Sequence, residues 1–257
     1  MIENIIEIAK GAGKKILEFY SEEIEIESKS DDSPLTKADL AAHHHIINEL
    51  KKLTPEIPII SEESGIPDFN ERKAWNKFWL VDPLDGTKEF IKKNGEFTVN
   101  IALIVQDKPI LGVVYVPAFD TLYYGDNVSG SFKQESNKGP VQLNTLPYDK
   151  SKKARIVVSR SHGDDSTKRK LEKIGIEVSE EVPSGSSLKF CLVAEGKADL
   201  YPRLGPTMEW DTAAADAVYR YSIKDGEKPS PLSYNKENFK NPYFLLGLNE
   251  NINAEEL

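Results

Sequence analysis

Ile2, Ile5, Ile6, Ala9, Ala12, Ile16, Leu17 and Tyr20 recur at helical spacing, so the pattern predicts one amphipathic helix over residues 2–20. Ile24-Glu25-Ile26-Glu27-Ser28 alternates and predicts a short strand, and Asp31-Asp32-Ser33-Pro34 predicts a loop. A second helix is expected from Asp39 to Leu53, capped by Thr36 or Asp39. Pro58-Ile59-Ile60 and Phe78-Trp79-Leu80-Val81 read as strands. Thr98 to Val105 and Pro109 to Val116 are β-branched runs separated by Gln106-Asp107-Lys108, which predicts a hairpin. Thr121 to Tyr124 and Gly130 to Lys133 suggest another.

The character of the chain changes near residue 145. Asn144 to Lys153 is polar and interrupted by proline, a boundary signal. Beyond it strands alternate with helices. Ala154 to Val158, Ile176 to Val182 and Asp199 to Tyr201 read as strands; 165–174, 188–194 and 212–221 read as helices; 231–248 reads as one more strand after a loop. The pattern is α+β in the first half, residues 1–147, and α/β in the second, residues 148–257.

Composition narrows the class. Of 257 residues 39% are hydrophobic, enough for a buried core. The single cysteine, Cys191, admits no internal disulfide and points to a reducing cytoplasm. The start Met1-Ile2-Glu3-Asn4 lacks a signal-peptide plan, and no apolar run reaches the roughly 18 residues of a membrane span. A net charge of −9 argues against a nucleic-acid polymer or an anionic membrane as partner. It leaves room for a small anion, because metals and local cations can reverse the sign inside one cleft.

Candidate chemistry gathers at strand ends. The run Phe78–Val81 leads into Asp82-Pro83-Leu84-Asp85-Gly86-Thr87, two carboxylates three positions apart, then a glycine and a hydroxyl. Carboxylate and carbonyl oxygens are the ligands that hard divalent cations prefer, although Asp, Pro and Gly also make ordinary turns. The strand 58–60 leads into Ser61-Glu62-Glu63, so Glu62 and Asp82 converge if the two strands are neighbours. Helix starts at Asp211 and at Gly185-Ser186-Ser187 present free N–H groups, natural anion sites, with capping as the plainer alternative. His43-His44-His45 is expected mid-helix, where three successive side chains face different ways and cannot share an ion. Lys150 to Arg155 is expected to be a solvated basic face, and Trp75, Trp79 and Cys191 to be core.

Asp82-Pro83-Leu84-Asp85-Gly86-Thr87, with Ser61-Glu62-Glu63-Ser64 before it and Trp210-Asp211-Thr212-Ala213-Ala214 after it, resembles the inositol monophosphatase superfamily of Mg²⁺-dependent, lithium-sensitive phosphomonoesterases. Lys88-Glu89-Phe90, Ser159-Arg160-Ser161-His162, Gly185-Ser186-Ser187-Leu188-Lys189-Phe190, Tyr201-Pro202-Arg203 and Tyr234-Asn235-Lys236-Glu237 are similar to its CysQ-type 3'(2'),5'-bisphosphate nucleotidases. Tyr221-Ser222-Ile223 departs from the glycine-rich turn that relatives carry there.

The resemblance implies a layered αβαβα sandwich of the inositol monophosphatase/fructose-1,6-bisphosphatase type. It implies two or three Mg²⁺ ions: one on Glu62, Asp82 and the Leu84 carbonyl, a second on Asp82, Asp85 and Asp211. Thr87, helped by Asp39, would orient the attacking water, and Glu62 belongs to the catalytic set. Gly86 and Thr87 would bind phosphate oxygens, and His162, Gly185, Ser186, Lys189 and Arg203 would hold the rest of the substrate. The implied activity is hydrolysis of adenosine 3',5'-bisphosphate, and of 3'-phosphoadenylyl sulfate, linked to sulfate assimilation. The implied protein is a cytoplasmic monomer or homodimer, with peripheral attachment at the inner membrane as a variant. Alternatives are inositol monophosphatase or fructose-1,6-bisphosphatase activity, or a catalytically silent nucleotide or metal sensor.

Overall fold

The computed structural model describes residues 1–20, 26–28, 34–160, 165–223 and 227–248. The expected positions 24–25, 31–33 and 161–162 fall outside these.

A seven-stranded sheet organises the first half. Its strands, in spatial order, are β3 (Ile59–Ser61), β4 (Lys77–Asp85), β5 (Thr98–Val105), β6 (Lys108–Val116), β7 (Thr121–Asp126), β8 (Gly130–Glu135) and β9 (Val141–Gln142). Only β3 and β4 run parallel; the other pairs are antiparallel. The chain enters through α1 (Ile2–Tyr20), the short antiparallel pair β1 (Ile26–Ser28) and β2 (Pro34–Thr36), and α2 (Lys37–Leu53). Pro34 is therefore the first residue of a strand. The helix starts at Lys37, two residues before the expected position, which puts Asp39 in its first turn instead of at its cap.

Alternation along β4 and β5 divides the core. Trp79, Val81, Val99, Ile101 and Leu103 face α1 and α2, joining Ile5, Ala9, Ala12, Ile16, Ala42 and Ile46. Phe78, Leu80, Ala102 and Ile104 face the other way, onto α6 (Leu188–Ala194) and α7 (Ala213–Arg220). Trp79 is fully buried and its indole donates to Thr54 Oγ1 at 2.9 Å, as a core tryptophan requires. Gly112 on β6 sets how close α7 comes: a Cβ there would lie 2.2 Å from the Ala214 carbonyl oxygen.

Behind α6 and α7 lies a second, smaller strand layer. β10 (Ala154–Ser159) pairs in parallel with β11 (Val178–Ser184), and β12 (Tyr201–Arg203) pairs antiparallel with β13 (Phe244–Leu246). A bridge between Ile156 and Leu200 joins the two pairs. One face sends Val157, Tyr201, Phe244 and Leu246 toward Phe190 of α6. The opposite face packs Ala154, Ile156, Leu200 and Leu245 with Leu171 of α5 (Asp165–Lys173). The layers thus read α1/α2, sheet, α6/α7, sheet, α5, the αβαβα sandwich that the sequence led us to expect. The last strand is only three residues long, because most of 231–243 is irregular chain held by side chains. Arg72, from α3 (Phe69–Arg72), donates to Asn235 Oδ1 at 2.7 Å and to the Glu237 carbonyl at 2.6 Å.

No helix among the described residues is long and apolar enough to cross a membrane.

Candidate active site

The parallel pairing of β3 with β4 carries on one residue past β3. The Glu62 N–H donates to the Val81 carbonyl at 3.1 Å, which places Glu62 beside the start of the acidic segment. The expected end of the strand at Val81 is not observed. β4 runs on through Asp82, Pro83, Leu84 and Asp85, with its register to β5 interrupted between the two aspartates. Proline fits there because it has no N–H to offer the ladder and the pairing is already broken.

Asp82 is 1% exposed, and its Oδ1 accepts from the Leu84 N–H at 3.1 Å. Across the cleft, α7 starts with Thr212 as its N-cap residue, so Asp211 stands one position outside the helix and does not cap it. Its Oδ2 instead accepts from the Met208 N–H at 2.8 Å. Carboxylate oxygens of Glu62, Asp82 and Asp211 all lie within 4.8 Å of one another.

Asp85 is the fourth acid of the group. Its Oδ2 accepts from Ser186 Oγ at 2.7 Å and from Ser187 Oγ at 3.0 Å. Ser187 Oγ also lies 2.7 Å from the Asp211 carbonyl and accepts from Asn100 Nδ2 at 2.9 Å. Ser186 reaches Thr98 Oγ1 at 2.6 Å and adopts a left-handed φ of 51°. Its hydroxyl is therefore engaged with Asp85 and Thr98.

Burial and crowding act on these acids together. Burial first, then the charges of Glu62, Asp85, Asp211 and Asp39, push the Asp82 carboxyl well above the usual range. Asp211 is pushed up to about 8 by burial, with Asp85 the next cause. Carboxylates packed this tightly repel one another, and a cation among them would relieve both the repulsion and the burial cost. The donors are all hard oxygens, the set that suits Mg²⁺ or Ca²⁺. Asp39, buried on the first turn of α2, adds the smallest of these charge effects on Asp82.

Gly86 follows β4 with a φ of 87°, a conformation that glycine adopts without strain, and is the N-cap residue of α4 (Thr87–Ile91). Thr87 opens α4, and its hydroxyl lies 3.5 Å from the Leu84 carbonyl. A cavity of about 170 Å³ borders the acids and is lined by Asp85, Gly86, Lys88, Glu89, Gly185, Ser186, Lys189, Tyr201, Arg203 and Asp211, among others. A larger cavity of about 670 Å³ lies elsewhere and contains none of these acids. Chemistry therefore selects the smaller one.

Lys189 is the second residue of α6, buried, with its amine donating to the Ser186 carbonyl at 2.5 Å. Burial pulls its pKa down to about 8; Asp85 opposes this and Arg203 adds to it. Arg203 belongs to β12, where a residue past a strand end was expected, and donates to the Pro206 carbonyl at 2.8 Å. His162 lies outside the described residues. Every other candidate stands around the acids or the small cavity.

Sequence reading did not find Ser187, Asn100 and Thr98. Ser187 was visible only as part of a serine pair at a helix start, and the β5 pair only as strand residues. Cys191 is fully buried in the core, as expected, and His43 bonds Ser61 Oγ at 2.9 Å. The basic run needs correction at Arg155, which is not simply solvated: it forms two bonds with the Asp199 carboxylate, at 3.1 and 2.7 Å.

A profile of the inositol monophosphatase family matches residues 1–220. A Salmonella typhimurium protein named 3'(2'),5'-bisphosphate nucleotidase CysQ is 48% identical over 221 residues, covering 85% of this chain and 86% of its own. The Escherichia coli K12 protein of that name is 44% identical over 255 residues, 96% of this chain and all (100%) of its own. Among solved structures, CysQ from Bacteroides thetaiotaomicron superposes with a TM-score of 0.78 at 40% identity, covering 97% of each chain. The IMPase of Thermotoga maritima superposes at 0.67 with 22% identity, over 84% of this chain and 81% of its own, a likeness of fold alone.

Proposed function

The chain belongs to the inositol monophosphatase family, and we propose that it is a 3'(2'),5'-bisphosphate nucleotidase, hydrolysing adenosine 3',5'-bisphosphate to AMP and phosphate. We extend the reading to 3'-phosphoadenylyl sulfate, which carries the same 3'-phosphate, and to a place in sulfate assimilation in the cytoplasm. The observation that carries it is a juxtaposition: buried carboxylates of Glu62, Asp82 and Asp211 stand beside a small cavity that also holds Lys189 and Arg203. The acids suit metal-assisted attack on phosphorus, and the cations suit a second phosphate that a simple monophosphate lacks.

Enzymes of this family are metal-dependent, and here we assign Mg²⁺. Glu62, Asp82 and the Leu84 carbonyl would hold one ion, and Asp82, Asp85 and Asp211 another. Bound Mg²⁺ would supply a lowered pKa for the attacking water and neutralise charge on the leaving oxygen. The chain's own groups do the rest. Thr87, with Asp39 behind it, would orient the water for in-line attack. The N–H groups of Gly86 and Thr87 would hold phosphate oxygens at the start of α4. Lys189 meets the second phosphate as a point charge, and Arg203 meets it as a planar fork. His162 completes the set in this reading. The cleft then lies between residues 1–147, which bring Glu62, Asp82 and Asp85, and residues 148–257, which bring Asp211, Lys189 and Arg203.

Inositol monophosphate and fructose 1,6-bisphosphate are substrates suggested by the wider family; the first has no second phosphate for Lys189 and Arg203, and the second has one but lacks the flat base of a nucleotide. A silent sensor has no need of Thr87 beside the acids. A phosphate-release panel over nucleotide, inositol and sugar phosphates, with and without Mg²⁺, separates these cases. Preferred, Mg²⁺-dependent release from adenosine 3',5'-bisphosphate supports the proposal. Preferred release from inositol monophosphate, or none from any compound, refutes it.

A further inference from the structure

The larger cavity, about 670 Å³, lies between the 144–149 segment, β10 and the C-terminal end of α6. Its volume is within the roughly 300–1,000 Å³ usual for small-molecule sites. Its wall is rich in charge, and nearly all of that charge is answered within the protein. Arg155 pairs with Asp199 at 2.7 Å, Lys152 with Asp149 at 3.7 Å and Lys153 with Glu177 at 2.9 Å. Glu195 is held by Lys133 at 2.9 Å and Lys197 at 3.2 Å.

Lys228 is the exception. It is 3% exposed, yet no carboxylate or carbonyl among the described residues pairs with its amine. Its Nζ sits 5.0 Å from the centroid of the Tyr219 ring, a contact that softens burial but carries no counter-charge. Burial alone pulls the amine down to about 8. An isolated ammonium is costly to bury, and an oxyanion arriving beside it removes that cost while gaining a charged hydrogen bond.

We propose that this cavity is a second binding site, for a small molecule bearing an oxyanion, either a carboxylate or a phosphate group, seated on Lys228. The site is separate from the acidic cleft and does not depend on the reaction assigned there. The two are bordered by opposite ends of α6 and of β10: Lys189 and Ser159 line the cleft, Val193 and Arg155 this cavity.

The test is a titration of Mg²⁺-loaded protein, with ¹³C,¹⁵N-labelled lysine, by inorganic phosphate and separately by citrate. The side-chain signal of Lys228 is assigned by its loss in Lys228→Arg, and that of Lys189 reports on the cleft in the same spectrum. One of the two anions is expected to move the Lys228 signal along a saturating curve at millimolar concentration or below. It should also raise the titration midpoint of that amine by about one pH unit or more, since a bound anion favours the charged form. In Lys228→Met the amides of Val193, Gly196 and Gly247 should no longer respond, while turnover is unchanged. A Lys228 signal indifferent to both anions overturns the proposal, and so do cavity amides that respond equally in Lys228→Met. Should Lys228→Met fail to fold, the wild-type titration decides alone.

Discussion

Asp82 pairs with Asn100 and Asp85 pairs with Thr98, so three steps along β4 are matched by two along β5. In a regular strand, positions three apart point to opposite faces. The extra residue between the aspartates cancels that inversion and lets both carboxylates reach the side where Asp211 and the Ser186-Ser187 pair lie. One bulge at a proline thus turns a core strand into one wall of an acidic site.

Asp82 is the most buried member of that wall, with the other acids raising its pKa. Asp82→Asn is expected to keep the fold and to abolish turnover. At pH high enough to ionise the cluster, removing one buried charge should also raise the melting temperature of the metal-free protein, by about 2–4 °C for each kcal/mol relieved. Added Mg²⁺ should then stabilise the variant far less than the wild type. Calorimetry with and without Mg²⁺ checks this; an equal metal-induced shift in both proteins would remove Asp82 from the metal set.

The Asp211 carboxyl, pushed up to about 8, ties stability to pH in a definite direction. A carboxyl whose pKa is raised on folding contributes full stability below its unfolded value, about 3.9, and loses it as pH climbs through the folded one. The metal-free protein should therefore melt at progressively lower temperature as pH rises from about 5 to about 8. Mg²⁺ should cancel much of the loss, so its stabilising effect should grow with pH. Melting curves in EDTA and in Mg²⁺ across that window read both slopes, and a metal effect that shrinks as pH rises would show that these acids do not hold the ion.

Thr87 opens α4 with its hydroxyl turned toward Leu84. Thr87→Ala should lower kcat by about 10²–10⁴-fold, the scale of a group that assists proton movement at the nucleophile. KM should change little, because the hydroxyl acts on water and not on substrate. Steady-state kinetics decide the point: a variant with raised KM and intact kcat would make Thr87 a binding residue.

Lys189 and Arg203 line the cavity beside Asp85. Lys189→Ala and Arg203→Ala should each raise KM for adenosine 3',5'-bisphosphate by about tenfold or more, corresponding to roughly 1.4 kcal/mol for a lost charged contact. Hydrolysis of a small monophosphate should be nearly untouched. Equal losses on both substrates would assign these cations to the general phosphatase site and not to nucleotide selection.

The sequence made the main sheet and the layer order legible because apolar alternation and helical spacing are local signals. Phe78 to Val81 read correctly as a strand, but its continuation did not. Asp82, Pro83 and Asp85 are turn residues by propensity, and pairing of the two aspartates with β5 on either side of the proline keeps the segment extended. The short helices Phe69–Arg72 and Thr87–Ile91 span too few residues to show a period. The acids could be picked out by their place at strand and helix ends. The supports of Asp85 could not, because Asn100, Thr98 and Ser187 come from β5 and the start of α6, and only the packing of α6 against the sheet brings them together. Arg155 misled for a related reason: its partner Asp199 is 44 positions away.

The most direct test of the account follows AMP and phosphate released from adenosine 3',5'-bisphosphate by the purified protein, first in Mg²⁺, then in excess EDTA, then with Mg²⁺ restored. The account predicts turnover, its loss and its recovery, with 5'-AMP as the product nucleotide and inositol monophosphate a much poorer substrate throughout. Release that persists in EDTA would contradict the role given to Glu62, Asp82, Asp85 and Asp211, and faster release from inositol monophosphate would contradict the role given to Lys189 and Arg203.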